Sequence, residues 1–597
     1  MAETHHPLNP VAASAAPARS GRRWHGRWLD LAPPLTLAVF ALPVVAGLLG
    51  TLLPAFGHLP AVGGPGWGLQ PWRDLTATPG VWTALGLTLA TGWSATALSL
   101  LLAVGIVAAL HPRGGTGRLA EALAPLLAMP HAALAIGLAF LIAPSGWLVR
   151  GAAALLAAGQ PTLPPDIATV GHASGWPIVL ALLIKEVPYL VLMLLAALQQ
   201  VRARAQVDLA RTLGYGPAQA WLAVVLPQIW RQIRWPVWAV LAFSLSVVDV
   251  ALVLGPSNPP TLAVLAVRGF AHPDPQSLFP ASAAATLLLG VVLASIGLAR
   301  GVERGIAAWH RRHLMRGRRV ASSDGGPALW RSPSEWLARI ATASGALLAA
   351  AALLAGAGLA LWSVATSWRY PAVLPAGWTM AHWARQADAL MQPALTTLVV
   401  GAAATLIALV LVLACLEQAS RRPAGQRARP LSLIYLPLLV PQVAFLFGLQ
   451  VLLVRTGVDG RLGAVIAAHL VFVLPYVYLS LADPWQALDP RLLRTAASLG
   501  ASPGRIFWRI KLPILLRPVL LAGAVGFAVS AAQYLPTLYA GAGRIATLGT
   551  EAVTLSGGAD RRVIGTWALL QALLPLLVYL GAAALPRWIH HHRRGLA

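Results

Sequence analysis

The chain has 597 residues, of which 57% are hydrophobic and only 11% charged. Soluble domains carry about 25% charged residues, so the composition excludes a soluble globular protein and indicates one that lives in a bilayer. The net charge of +25 does not point to nucleic acid: the arginines gather in short loops on one side of the apolar blocks, the positive-inside pattern, and no groove-reading motif is present.

Residues 1–30 are polar and rich in Ala, Pro and Arg, with Arg19, Arg22, Arg23 and Arg27 ahead of the first apolar block. That block is span-length, so it reads as a retained helix behind a disordered cytosolic tail, not as a short cleaved leader. Blocks of about 20 apolar residues cross a bilayer. Twelve follow, at about 35–56, 82–110, 120–143, 176–199, 236–254 and 280–299, then 338–362, 393–416, 431–454, 463–482, 515–538 and 563–585. The expected fold class is all-α, a polytopic membrane protein of about 12 transmembrane helices as two parallel six-helix repeats. The domains are a tail (1–30), a first repeat (31–300), a basic cytosolic linker (301–335) through Ser322-Ser323-Asp324-Gly325-Gly326, a second repeat (336–586) and a basic tail (587–597). The arginine-rich loops, such as those holding Arg202, Arg204 and Arg211 or Arg491, Arg494 and Arg505, are assigned to the cytosol, with both termini. The one cysteine, Cys415, lies in an apolar block and excludes an intrachain disulfide or a cysteine metal site.

An internal repeat becomes visible after the fourth and tenth spans. Asp208-Leu-Ala-Arg-Thr-Leu213-Gly214-Tyr-Gly-Pro217-Ala-Gln-Ala-Trp221 leads to Leu226-Pro227, and Arg494-Thr-Ala-Ala-Ser-Leu499-Gly500-Ala-Ser-Pro503-Gly-Arg-Ile-Phe507 leads to Leu512-Pro513. Gly214/Gly500, Pro217/Pro503, Trp221/Phe507 and Pro227/Pro513 are each 286 apart. In each loop a short helical run ends in Gly, which permits a turn that a Cβ would resist. Proline suits the first turn of the next helix, and Trp221 and Phe507 are expected to present an aromatic knob. Pro227 and Pro513 mark the return to the membrane. An exposed apolar face on such a loop implies a partner. Outside the loops, Pro188 matches Pro475, Pro130 matches Pro441, and Phe243 to Asp249 matches Phe527 to Gln533. Six spans per half is an even number, so the halves run parallel.

These loops resemble the cytoplasmic signature loop of permeases in binding-protein-dependent ABC importers. The resemblance covers both halves from the second to the sixth span and implies the type I importer permease fold. It further implies that Gly214 and Gly500 are turn glycines of coupling helices, that Asp208 stands for the family's glutamate, and that Leu226-Pro227 and Leu512-Pro513 close the motif. The partners implied are two copies of a cytosolic ATP-binding cassette subunit and a periplasmic substrate-binding protein. Arg494 takes the second acidic position, which implies asymmetric docking. Gln533 to Gly541 and Arg544 to Ala552 look most like thiamine-type permeases, within a group of thiamine and ferric-iron importers. A phosphate loop needs Gly-Lys-Ser/Thr. The chain's lysines are Lys185 and Lys511, each preceded by Ile, so this chain is no ATPase, binds no cofactor of its own, and ATP is hydrolysed by a partner.

Charged residues at membrane depth usually line an aqueous path or pair internally. Lys185 and Glu186 fall in the fourth span and Asp249 in the fifth, matched by Gln533. Lys185 is expected to pair with Asp249, either beside the translocation path or gate or as a structural pair between the halves. His131, His469, Gln442 and Gln450 read as hydrogen-bonded packing residues, and no histidine–carboxylate grouping suggests a metal. The competing reading is a proton-coupled secondary transporter with six plus six helices. Its marker loop is only partly matched by His111 to Arg118, which lacks the aspartate. A membrane enzyme would need clustered acids, bases or a nucleophile, and none stands out.

Overall fold

The computed structural model describes residues 27–64, 66–111, 116–156, 163–315, 333–421 and 434–589. Most of the amino-terminal tail, the centre of the linker and the last basic residues lie outside these. The described residues are helical, with two isolated bridges and no strand. The first half comprises α1 (Ala32–Ala55), α2 (Val81–Leu110), α3 (Thr116–Ala128), α4 (His131–Ile142), α5 (Trp176–Leu198), α6 (Leu226–Ser246), α7 (Asp249–Leu254), α8 (Leu262–Phe270) and α9 (Leu278–Met315). The second comprises α10 (Pro333–Val364), α11 (Ala381–Arg421), α12 (Gln442–Thr456), α13 (Leu462–Gln486), α14 (Leu516–Ala531), α15 (Leu535–Gly541), α16 (Leu548–Ser556) and α17 (Arg561–Ile589).

All twelve expected positions hold helix, but not twelve continuous spans. Among the described residues nine helices are long and apolar enough to cross a membrane, and a tenth counts if 503–514 and 516–531, bent by 74°, form one span. The shortfall has local causes. Expected span 120–143 is shifted, not lost: it breaks at Pro130, in extended conformation, and the span found there is His131–Leu155. Expected span 431–454 breaks at Pro441, the N-cap of α12. A proline pushes the residue before it out of the α region, so α3 stops short of α4, and α12 is left as a helix of 15 residues. Expected span 236–254 divides where Val247 turns extended, with ψ 133°. Expected span 515–538 divides between α14 and α15. The linker expected from 301 is helical to Met315, because α9 runs on without an internal breaker.

Each half hands its first helix to the other. Helix α1 packs against α12, α13 and α11 as well as α9 of its own half, and α10 packs against α2, α4 and α5 as well as α17 of its own half. Without a hydrophobic drive between helices in lipid, close approach of small residues supplies the packing. A Cβ on Gly50 would lie 2.7 Å from the Cα of Gly448, and one on Gly137 would lie 2.7 Å from the carbonyl oxygen of Ala355. Gly137 and Gly448 are 311 apart, like Pro130 and Pro441, so the two crossings are copies. A second copied device ties the short helices α8 and α16 down. The Thr88 hydroxyl donates to the Ala84 carbonyl (2.8 Å) and accepts the Leu262 N–H (2.9 Å) at the start of α8. The Thr397 hydroxyl does the same for Pro393 (2.7 Å) and Leu548 (3.0 Å) at the start of α16. Each threonine satisfies an N–H that a helix start leaves without a partner.

Candidate functional site

The two repeated loops fold alike. In the first, helix Ala203–Thr212 ends at Gly214, φ +88°, and Pro217–Ala220 follows. In the second, Pro490–Ser498 ends at Gly500, φ +81°, and Pro503–Ile506 follows. The closing bonds repeat residue for residue: Gly214 N–H to Arg211 and Tyr215 N–H to Ala210, Gly500 N–H to Ala497 and Ala501 N–H to Ala496. This is the left-handed glycine cap that satisfies the last carbonyls of a helix. Each loop then passes through a π-turn, Trp221–Val225 and Phe507–Lys511. Pro227 sits in the first turn of α6 and Pro513 in that of Leu512–Ile514, where a missing N–H costs nothing.

The expected aromatic knob is corrected. Trp221 is fully buried, in one core with Val207 and Ala210. Phe507 is half-buried against Trp485, with ring centroids 6.2 Å apart. The exposed apolar groups are Leu209 and Leu213 on the first loop, and Leu492, Leu499 and Trp508 on the second. Leu499 is 82% and Trp508 66% exposed. The aromatic side chain offered outward is therefore the residue after Phe507, turned out by the π-turn that turns Phe507 in. Asp208 is exposed and 3.7 Å from Arg211 on its own helix. Arg494 instead donates to the carbonyl of Pro490.

At membrane depth the expected Lys185–Asp249 pair does not form. The Lys185 ammonium donates to the carbonyls of Met129 (2.6 Å), Leu127 (3.0 Å) and Leu126 (3.2 Å), at the end of α3. Three donors meet three acceptors that the Pro130 break leaves open, so the ammonium is satisfied without the Asp249 carboxylate. Glu186, next along α5, faces the other side of the same break: its carboxylate is 3.7 Å from Nε2 of His131, the first residue of α4. A cation at a helix C-terminus and an anion at an N-terminus both complement the helix dipole. Asp249 starts α7. Helix α15 starts at Leu535, so Gln533, the sequence match of Asp249, lies in the break before that helix and not at its first position. His469 is a packing residue as expected: its ring nitrogens bond Ser530 (2.8 Å) and Thr537 (2.9 Å), bridging α14 and α15. Thr537 donates to the Gln533 carbonyl, so Nε2 carries the proton and Nδ1 accepts from Ser530.

No family model matches the chain. A curated relative, "Inner membrane ABC transporter permease protein YnjC" of Escherichia coli, is 34% identical over 568 residues, covering 95% of this chain and 100% of its own length. The chain belongs to the ABC transporter permeases. "Molybdenum transport system permease protein ModB" of Mycobacterium bovis is 32% identical over 34% of the permease and 82% of its own length. "Spermidine/putrescine transport system permease protein PotC" of Haemophilus influenzae is 28% identical over 24% of the permease and 56% of its own length. The permease is thus a multi-pass transport subunit with no ATPase site of its own, and the secondary-transporter reading falls.

One feature of the permease had no sequence signal. Lys511, in the second π-turn, is buried and donates to Glu417 of α11 at 2.5 Å and to Ser420 at 3.1 Å, over the ring of Trp485. Arg421 holds the other oxygen of Glu417 at 2.9 Å. At the repeat offsets the first half carries Val225 and Ala108, both buried. The second half thus ties its loop to its second long helix with an ion pair, where the first half carries buried apolar residues.

Proposed function

We propose that the permease is the translocating subunit of an ATP-driven importer, with both termini in the cytosol. Its partners are two copies of a cytosolic ATP-binding cassette subunit and a periplasmic binding protein that delivers a small solute, thiamine-like or of similar size. The observation that carries this reading is the pair of loops 286 residues apart, each locked by a positive-φ glycine and each presenting exposed leucines. Exposed apolar groups on a rigid loop call for a protein partner, and two such loops call for two. Closure of the ATPase pair on ATP would draw the loops together and move the halves between outward-open and inward-open arrangements. Asp208, Leu213, Pro217 and Trp221, with Leu499, Pro503 and Phe507, build these loops. Of them Leu213 and Leu499 offer contact, while Trp221 and Phe507 hold the loops to the bundle.

The test is purification of the tagged permease from its native membrane after mild cross-linking, with mass spectrometry of what accompanies it. An ATPase subunit is expected. A Leu499→Asp, Trp508→Ala double variant should lose it while remaining folded in the membrane. Recovery of the permease alone, with the ATPase expressed and cross-linking controls positive, would sink the proposal.

A further inference from the structure

We infer that the permease binds the phosphate of an anionic phospholipid where its two halves meet, on the bilayer face nearer the repeated loops, through Arg234 and Arg300 held against Trp235 and Trp238.

Two guanidiniums converge there on one indole. The guanidinium carbon of Arg234, on α6, lies 5.7 Å from the ring centre of Trp238, and that of Arg300, on α9, lies 5.9 Å from it. Arg234 is also 5.9 Å from the ring centre of Trp235. The two tryptophans meet edge to face at 5.0 Å, and Tyr435, from the second half, stacks on Trp235 at 5.7 Å. Aromatic faces attract and orient a guanidinium. They accept none of its hydrogen bonds along its edge, so that edge stays available to an oxyanion.

The charges of this cluster do not balance. Arg300 donates to Glu303 at 2.6 Å. Arg234 forms no ion pair among the described residues, and its Nε is buried without a hydrogen-bond partner. The second oxygen of Glu303, Oε2, is buried and unpartnered as well, so the carboxylate is not spent on Arg234. Two cations against one carboxylate leave one positive charge over, and a buried donor without an acceptor is costly. A phosphodiester brings one negative charge and acceptor oxygens that the arginine fork takes two at a time.

Depth selects a lipid over a soluble anion or an acidic protein surface. Helix α9 carries no charged residue from Leu278 to Ala299, about 33 Å of helix, and the hydrocarbon core of a bilayer is about 30 Å thick. Arg300 is the first charge beyond that stretch, at the level of lipid phosphates, and Arg234 shares its indole. The loop offered to a protein partner lies further out, before Leu226, about 12 Å along α6 from Arg234. Leu293 and Leu298 are exposed on α9 on the membrane side of Arg300, where acyl chains run. Basic pockets between helices at this level hold anionic headgroups. The internal repeat separates this cluster from a general preference for arginine and tryptophan at the interface. At the loop offset of 286, Arg234, Trp235 and Trp238 correspond to Leu520, Leu521 and Ala524, so one lipid binds per permease. Because α6 also packs on helix Leu436–Leu439 of the second half, that lipid lies against both halves.

The test uses the full-length permease, delipidated in detergent and titrated with phosphatidylglycerol, phosphatidylcholine or glycerol 3-phosphate. Native mass spectrometry counts what is retained, and the thermal midpoint reports the effect. One phosphatidylglycerol should be retained and should raise the midpoint, while phosphatidylcholine is lost more readily and glycerol 3-phosphate does not bind. Arg234→Gln should weaken retention by roughly fivefold or more, and Arg234→Lys, which keeps the charge but not the fork, should fall between. Arg517→Gln, in the second half at the position matching Arg231, should change nothing. Circular dichroism without lipid shows that each variant is folded, and Trp235→Leu offers the same readout where an Arg234 variant is not. The inference is overturned if the two lipids are retained alike, if Arg234→Gln and Trp235→Leu both retain lipid as the wild type does, or if Arg517→Gln loses as much as Arg234→Gln. Binding of glycerol 3-phosphate that depends on Arg234 would make this a site for a soluble phosphate. Loss of a cross-linked protein partner from Arg234→Gln, with lipid still retained, would make it a protein contact. Either result also overturns the lipid assignment.

Discussion

At the scale of single residues, two kinds of position matter, and they differ in what a substitution removes. Gly214 and Gly500 sit at φ +88° and +81° with open space where a Cβ would go. The objection to a side chain there is therefore backbone strain alone, about 1–2 kcal/mol for a left-handed residue. Gly500→Val is expected to leave the protein in the membrane but to distort the cap. The ratio of solute uptake to ATP hydrolysis in the assembled transporter should fall, and an unchanged ratio would remove the loop from the proposed coupling. Lys185 is the other kind. Lys185→Met leaves three carbonyls at the end of α3 without donors, and an unsatisfied buried acceptor costs about 1–3 kcal/mol. The thermal midpoint should drop in Lys185→Met and stay near wild type in Glu186→Gln. If the two variants behave alike, the division of labour between these neighbours is wrong.

At the scale of elements, the internal repeat acts as a built-in control. Gly448 meets the backbone of α1 at Gly47 and Gly50. A leucine there must push two helices apart, so Gly448→Leu should destabilise by at least the 1–3 kcal/mol or so of ordinary overpacking, measured by unfolding in detergent. The Lys511–Glu417 pair offers a sharper comparison, because the first half carries buried Val225 and Ala108 at the matching positions. Removing one member of a buried pair costs about 3–5 kcal/mol, whereas replacing both with apolar groups is often neutral. Lys511→Val should thus destabilise, toward the lower end because Arg421 still holds Glu417. Adding Glu417→Ala should restore most of the loss. A double variant as unstable as the single one would mean that the two halves are not packed equivalently.

At this scale the limits of the sequence also become physical. Both loops were legible because Gly and Pro dictate backbone geometry by themselves, and the repeat at 286 exposed them. The breaks at Pro130 and Pro441 have a local cause that a hydropathy pattern smooths over, and the break at Val247 has none at all. Trp221 was misplaced because the buried face of a short helix is decided by what packs on it, here Val207 and Ala210, which no pattern brings together. Lys185 found carbonyls instead of Asp249 because open acceptors at a helix break are invisible in a string of side chains.

At the scale of the whole molecule, the decisive feature is that α1 lies on the second half and α10 on the first. Thr51 of α1 accepts the Gly448 N–H at 3.1 Å, and the hydroxyl of Thr36 meets Cys415 of α11 at 3.1 Å. Each half therefore buries its core with a helix borrowed from the other, and neither is complete alone. What joins the halves covalently is the segment around Ser322 to Gly326, rich in small polar residues, and the exchange itself does not depend on it. Cutting the chain there and co-expressing 1–323 with 324–597 should give two polypeptides that co-purify and together keep the transport activity of the intact chain. Either fragment expressed alone should be degraded, because the surface made for the missing helix is apolar and includes close-packing glycines. Stable accumulation of a lone fragment would show that the exchanged helices are peripheral. Reassembly without transport would show instead that the linker carries part of the motion between the halves.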